Sequence, residues 1–287
     1  MLAARTLVYA GRGGPARLAG GDSLRLVDGT GDPRLWQLSP TLAETVAVAV
    51  ASGHAPETFG LRMNSPYVLL GPQDLRLPHP ERGVDWLEAQ GLPVYVRVGG
   101  GSAVLLDENC LSFFCAVPCR DISRLDRNFH DLTRPVRRAL ATLGTPVRFG
   151  RAQGSYCEGP QDLLTEGGRK LLGVAQALRQ GYALVSGMLL LGQDPRHTTA
   201  LLQEFYRRSG SDRVLRPEAV TSLSLEAGRQ VPLAEVKNAI LREAVALGWG
   251  PDPSPLSAWE DDLGQRMLGV RRYPAQPLAQ PPLIRSV

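Results

Sequence analysis

The sequence predicts an α+β domain in which a mixed β-sheet carries packed helices. Three observations predict it. Short apolar runs of strand length recur along the chain, and helical runs fall between them without the regular strand-helix alternation of a doubly wound sheet. The third is size: 287 residues suffice for one large core with little left over.

Residues 1–38, rich in Gly, Arg and Asp, read as a loosely ordered lead-in with at most short strands. The first 20 residues carry Arg5, Arg12 and Arg17 without an acid, but they lack the serines of an organelle-targeting peptide. At Ser39-Pro40 a helix begins and runs to near Gly53, with Leu42, Val46, Val48 and Val50 among alanines. Residues 59–63, 67–70 and 94–96 read as strands, and 81–90 as an amphipathic helix closed by Gly91. Two further strands, 103–106 and 111–117, flank Asp107-Glu108-Asn109, which looks like a hairpin turn. A helix follows over 123–143, with Phe129, Leu132, Val136 and Leu140 on one face. Strands are expected at 147–149, 162–165, 169–177 and 182–191, then a helix at 197–208. This makes 39–210 the main domain. Residues 211–250, with a helix at 233–247 before Gly248, read as a small helical appendage, and the proline-punctured stretch 251–287 as a mobile or surface-draped tail.

Composition excludes several classes of function. The net charge of +4 and pI near 9.0 arise from interspersed acids and bases with no basic block, so nothing points to nucleic acid. The charge does suit an acidic protein partner. No apolar stretch approaches the roughly 18 residues of a membrane span; the closest, 182–191, contains Ser186 and Gly187. Four cysteines, Cys110, Cys115, Cys119 and Cys157, are too few for a secreted disulfide scaffold, so a reducing cytoplasm is expected. Of the 32 basic residues only Lys170 and Lys237 are lysines. In a chain so biased toward arginine, a lysine marks a place that calls for a compact, tunable ammonium, although Lys237, on an exposed-looking helix, reads as incidental.

Three constellations could carry chemistry. Residues 97–104, Arg-Val-Gly-Gly-Gly-Ser-Ala-Val, offer consecutive glycines against which a nucleotide or an acyl group could lie closely. As a phosphate loop the segment fails, because no Lys-Ser/Thr follows and a strand rather than a helix comes next. Residues 154–159, Gly-Ser-Tyr-Cys-Glu-Gly, hold a cysteine in a glycine-flanked loop thirteen residues before Lys170, whose ammonium would favour the thiolate that attacks acyl carbon. Cys110, Cys115 and Cys119 match no standard zinc spacing and read as core residues, so no metal is expected. His54, His79, His130 and His197 sit in loops or on polar faces without a catalytic companion, so no Ser-His-Asp order can be proposed.

Together four ordered segments resemble a known family. They are residues 71–88 (Gly-Pro-Gln-Asp-Leu-Arg-Leu-Pro-His-Pro-Glu-Arg-Gly-Val-Asp-Trp-Leu-Glu), the run from Arg97 to Asp107, Ser155-Tyr-Cys157-x-Gly-x-x-Asp162-Leu, and Gly168-Arg-Lys170-x-x-Gly173-x-Ala-Gln176. Over roughly residues 40–245 the chain is similar to lipoate-attachment enzymes of the biotin/lipoate protein ligase superfamily, above all to the octanoyl-[GcvH]:protein N-octanoyltransferases. The resemblance implies a class II synthetase-like catalytic fold that cradles an octanoyl or lipoyl chain. It implies that Cys157 takes the acyl group from the glycine cleavage H protein as a thioester, and that a lysine on the lipoyl domain of a 2-oxoacid dehydrogenase E2 subunit then resolves it. Lys170 would polarise the acyl carbonyl and support the thiolate. Arg97, Gly99, Gly100, Gly101, Ser102, Ala103, Asp107, Gly173, Ala175, Ser186 and Gly187 match positions implied to contact substrate. No cofactor, no nucleic acid and no membrane are implied.

The chain departs from the family pattern in three places. Val96 rather than arginine precedes Arg97, Ser186-Gly187 stands where His-Gly is frequent, and Leu111-Ser112 where Leu-Asn is usual. The last two bear on acyl-chain preference. Alternative readings are an ATP-dependent lipoate ligase, which would share the glycine segment and Lys170 but not need Cys157, an octanoyltransferase drawing on acyl carrier protein, and a non-catalytic acyl-binding homologue.

Overall fold

The computed structural model of the chain describes residues 24–119, 125–179 and 181–274. An eight-stranded mixed sheet forms its centre, ordered β11 (Asp252–Pro253), β1 (Arg25–Gly29), β2 (Thr58–Arg62), β6 (Cys110–Cys119), β10 (Gly181–Leu190), β9 (Lys170–Arg179), β8 (Asp162–Leu164) and β7 (Arg148–Gly150). β1 runs parallel to β2 and β11, and the pairs from β2 to β7 are antiparallel. A second sheet of β4 (Val94–Val96), β3 (Tyr67–Leu70) and β5 (Val104–Leu106) lies apart from it. The mixed sheets with packed helices are the α+β architecture that the residue pattern predicts.

The long strands β6, β9 and β10 hold the register of the whole. Because side chains alternate across a sheet, each strand serves two cores. On one face Phe113, Cys115, Val117, Val185 and Leu189 pack with α5 (Arg134–Thr142) and α8 (Leu233–Ala246). On the other, Phe114, Ala116 and Leu184 pack against α2 (Ser39–Ala51), whose Leu42, Val46 and Val50 are buried. The small sheet, with α3 (Pro80–Ala89) and α6 (Pro195–Arg208), encloses a third core that includes Tyr156, Phe205 and Tyr206. Burying each such large apolar side chain contributes about 1.5–3 kcal/mol.

Five expectations are corrected. The lead-in reading fails from residue 24 on, because β1 is an interior strand of the main sheet, with Leu26 and Val27 buried; residues 1–23 lie outside the described ones. The turn Asp107-Glu108-Asn109 is not a hairpin: β5 pairs with β3 and β6 with β2 and β10, so the turn passes the chain between sheets. The long helix over 123–143 is two, α4 (Leu125–Leu132) and α5, broken at Thr133 where Pro135 has no N–H to continue the ladder. The 211–250 appendage belongs to the main core, to which α8 brings Val236, Ala239 and Ile240 and where Trp249 meets Phe59 edge-on at 5.6 Å. Within the tail, residues 258–271 form α9 (Ala258–Arg271), seated on α2. α9 opens with a capping box between Ser257 and Glu260, and Glu260 accepts two bonds from Arg25 at 2.9 and 2.5 Å. Residues 275–287 lie outside the described ones.

Among the described residues no helix is long and apolar enough to cross a membrane.

Candidate active site

The glycine segment leaves β4, crosses in front of the sheet and enters β5 at Val104. Its Gly101 has φ +99°, a conformation that side chains resist, and a Cβ there would lie 2.7 Å from both the Cys157 Sγ and the Arg97 Nη2. Glycine is therefore required on two counts. Next to it the Ser102 N–H donates to Cys157 Sγ at 3.3 Å, and Arg97 Nη2 donates to the same sulfur at 3.1 Å and also to the Ser102 carbonyl.

Cys157 itself lies in the loop between β7 and β8 and is half-buried. Among the described residues it is the one non-glycine with positive φ, +46°. A strained left-handed residue of this kind costs about 1–3 kcal/mol and persists only where its surroundings fix it. Here they do. Tyr156, fully buried, donates its hydroxyl to Gln193 at 3.2 Å, and the Glu158 carboxylate accepts the Gly154 N–H at 3.0 Å. From behind, Lys170 Nζ donates to the carbonyls of Tyr156 and Cys157 at 3.1 and 2.7 Å and pairs with Asp162 at 3.0 Å. An ammonium has three N–H bonds. All three are engaged.

Electrostatics favour a thiolate. Burial raises the Cys157 thiol, but Arg97, Lys170 and the Ser102 N–H outweigh burial and bring its pKa below the ordinary thiol range. The contrast with Cys110 and Cys115 is sharp, for both are fully buried and burial pushes both thiols far up. Cys110 faces a different core from Cys115 and Cys119, so the three sulfurs do not converge on one ion. The described residues hold no His/Cys/Asp/Glu group suited to a metal.

The structure gathers some of the expected site residues and separates others. Arg97, Gly101, Ser102, Cys157 and Lys170 come together. Gly173 lies beside Lys170, where a Cβ would stand 3.4 Å from Nζ. Ala175 pairs with Ser186 across β9 and β10, in a half-exposed strip, Gly173–Gln176 facing Ser186–Gly187, bounded by buried residues. Gly99 approaches the Gln176 carbonyl, while Gly100 has open space around it. Ala103 donates its N–H to Tyr206 at 3.2 Å and is buried behind the loop. Two positions serve elsewhere. Asp107 caps its turn through the Asn109 N–H at 2.9 Å and holds Gln193 at 3.1 Å. Gly187 points to the opposite face from Ser186, where a Cβ would overlap the Phe113 ring, so it is a packing glycine.

Three residues beside the site escaped sequence reasoning. Tyr206 on α6 donates to Asp74 at 3.1 Å, Asp74 accepts the Gly71 N–H at 2.8 Å, and Arg213 donates to Ser102 Oγ at 2.9 Å. Asp74 lies within the first family segment, but nothing local marks Tyr206 or Arg213.

A cysteine whose thiol is lowered by donors converging on the sulfur has the features of a nucleophile. The chain belongs to the lipoyl protein ligase A/B catalytic domain family, whose model matches residues 38–245. Within that family it groups with the octanoyltransferases and is an acyltransferase. It is 33% identical over 207 residues to the octanoyl-[GcvH]:protein N-octanoyltransferase of Kyrpidia tusciae, covering 67% of this chain and 71% of the relative. To the enzyme of the same name from Bacillus velezensis it is 31% identical over 237 residues, covering 78% and 82%. Among solved structures, a T. acidophilum lipoate protein ligase with bound lipoic acid superposes with a TM-score of 0.66 at 20% identity, covering 86% of this chain and 95% of that one. Lipoate-protein ligase A bound with ATP gives 0.65 at 20% identity, covering 86% and 95%. Both establish the fold.

Proposed function

We propose that the chain moves an octanoyl or lipoyl group from the lysine amide of a glycine cleavage H protein to a lysine of a lipoyl domain, through a thioester on Cys157. The observation that carries this reading is the sulfur itself: half-buried, strained into place, and held between Arg97 and the Ser102 N–H with Lys170 behind it. The thiolate attacks the amide carbonyl, and the donor lysine nitrogen takes a proton from water as it leaves as an amine. The acceptor lysine, as the free amine, then attacks the thioester, gives up a proton to water and returns the sulfur as thiolate. Overall one amide replaces another. The exchange therefore needs no ATP and no cofactor, because no bond type is gained or lost.

As the carbonyl becomes tetrahedral its oxygen gains charge, and a donor already aimed at the spot stabilises it without reorganising. With Lys170 spent on three acceptors and the Ser102 N–H given to the sulfur, that task falls to Arg97, whose buried Nε has no partner among the described residues. Lys170 supplies charge to the thiolate and locks the backbone of its loop. The half-exposed strip of Gly173, Ala175 and Ser186, whose Gly173 end adjoins Lys170, supports a place for the acyl chain, since its side chains are small. A thiolate nucleophile also calls for a reducing compartment, which supports the cytoplasm.

The test is to incubate the protein with octanoyl-H protein or octanoyl-acyl carrier protein without ATP and to measure intact mass before and after hydroxylamine. A hydroxylamine-labile octanoyl adduct from the H protein, absent in Cys157→Ser, supports the reading. Loading from acyl carrier protein alone makes that carrier the donor. Product that forms only with ATP, and equally in Cys157→Ser, makes the protein a ligase, while neither adduct nor product makes it a binding module.

A further inference from the structure

Arg213 belongs to none of the four family segments. It comes from the stretch that follows α6, and it fastens together the two loops that build the site. Its Nη1 donates to Ser102 Oγ at 2.9 Å and to the Tyr206 hydroxyl at 3.3 Å, and its Nη2 donates to the Ser155 carbonyl at 3.3 Å. Ser102 lies in the glycine segment and Ser155 two residues before the nucleophile, so one planar guanidinium spans both. Its carbon also sits 5.1 Å from the centre of the Tyr206 ring.

The guanidinium is in turn held in place. The Tyr206 hydroxyl accepts the Ala103 N–H and donates to Asp74, which grips the Gly71 N–H, so the strap is anchored just past the end of β3 in the small sheet. On the other side Gln203 accepts the Leu215 N–H at 2.7 Å and donates to the Arg213 carbonyl at 2.7 Å. The Arg216 N–H then reaches the Gly154 carbonyl at 2.8 Å, next to the nucleophile loop. Each link is a modest bond, but a chain of them leaves the Ser102 peptide one orientation.

We propose that Arg213 is a positioning residue: by tying Ser102 to the loop that bears Cys157, it keeps the Ser102 N–H directed at the sulfur and so sets that sulfur's reactivity. The inference rests on reading Cys157 as the nucleophile, and it is tested on the thiol alone, without donor or acceptor. The charged and titratable groups facing the sulfur are Arg97 from the glycine segment, Tyr156 of its own loop, Lys170 from β9 and Asp162 from β8. Arg213 acts from behind Ser102, with Asp74 and Tyr206 beyond it.

The experiment is the pH profile of iodoacetamide alkylation of Cys157, followed by intact mass, in the unaltered protein and in Arg213→Met, Arg213→Lys, Tyr206→Phe and Ser102→Ala, each checked by thermal melting. Loss of a donor aimed at a charged acceptor is worth roughly tenfold, so Arg213→Met shifts the alkylation midpoint upward by about one pH unit and slows alkylation at neutral pH about tenfold. Arg213→Lys recovers part of this, because an ammonium reaches one loop but not both. Tyr206→Phe, which keeps the arginine but loosens its anchor, shifts the midpoint less. Ser102→Ala keeps the backbone N–H, shifts the midpoint in the same direction, and combines with Arg213→Met less than additively. A midpoint unchanged in folded Arg213→Met overturns the proposal, whatever happens to acyl transfer. A shifted midpoint in a protein that never accepts an octanoyl group leaves Arg213 as a positioning residue and overturns the proposed function instead.

Discussion

Replacing Gly101 by alanine places one methyl group where the structure has least room for it. The new carbon would stand 2.7 Å from the Cys157 Sγ and 2.7 Å from Arg97 Nη2, whereas ordinary contacts of this kind lie at about 3.5–4.0 Å. One of the two groups must retreat by about 1 Å, and a misplacement of that size in a reacting group costs roughly a hundredfold in rate. The backbone adds to this, because φ is +99° at Gly101 and a side chain there costs about 1–3 kcal/mol. For a protein of this size that lowers the melting temperature by about 2–4 °C per kcal/mol. Gly100→Ala is the internal control, since a Cβ at Gly100 meets nothing within 4 Å. The assay is single-turnover formation of the acyl adduct, followed by intact mass, beside a thermal melt. Gly101→Ala should acylate about a hundredfold more slowly and melt a few degrees lower, while Gly100→Ala stays near the unaltered protein. If Gly101→Ala acylates within about threefold of the native rate, the loop does not press on the sulfur and the site geometry is wrong.

Three further outcomes follow from particular contacts. Lys170→Met leaves Asp162 as a buried charge without its partner, so unfolding in urea should show a loss of about 3–5 kcal/mol together with loss of acylation. The Glu260 carboxyl is opposed by burial but held below its ordinary range by Arg25 and the Ser257 N–H. A depressed folded pKa contributes stability above the unfolded value of about 4.3 and loses it as pH falls through the folded one. Melting between pH 6 and 3, at about one-unit steps, should therefore show a smaller acid-induced drop in Glu260→Gln than in the unaltered protein. Ile240→Ala removes a side chain that is 1% exposed in the main core, so it should cost about 2–5 kcal/mol in one cooperative transition. A separate early transition would restore the appendage reading of residues 211–250.

The parts of the site that the sequence revealed are those built from neighbouring residues. Arg97, Gly101 and Ser102 share one segment, and Cys157 and Lys170 lie in two short motifs, so the resemblance of those segments to a known family could single them out. Elements held by distant partners were not legible. α9 has a faint apolar stripe, and it docks through ion pairs 227 and 235 residues apart in sequence, Arg271 with Glu44 and Arg25 with Glu260. Its capping box, Ser257 to Glu260, was the one local signal, masked by the prolines before it. β1 was obscured for a related reason: a five-residue strand in parallel pairing carries no hairpin turn to announce it. The strap of Asp74, Tyr206 and Arg213 joins three separate elements, and Gly187 was assigned to the acyl side although alternation from Ser186 already put it on the other face.

The scarcity of lysine acquires a physical reason at one position. Around the Lys170 nitrogen stand two successive backbone carbonyls and a carboxylate, all within 3.1 Å. A compact ammonium can direct its three N–H bonds to three such points, whereas the planar fork of arginine suits paired oxygens in one plane. Lys237 meets Asp28 and Thr30 at the surface, a task that arginine performs as well. In the proposed chemistry Lys170 serves as a fixed charge that braces the loop. The two half-reactions of an amide exchange pass through tetrahedral states that place negative oxygen at the same point beside the same sulfur. A rigid frame of Arg97, the Ser102 N–H and Lys170 serves both directions equally, because none of its members must gain or lose a proton between them. The strain at Cys157 belongs to the same logic: a nucleophile fixed before substrate arrives has no conformational freedom left to lose in either step.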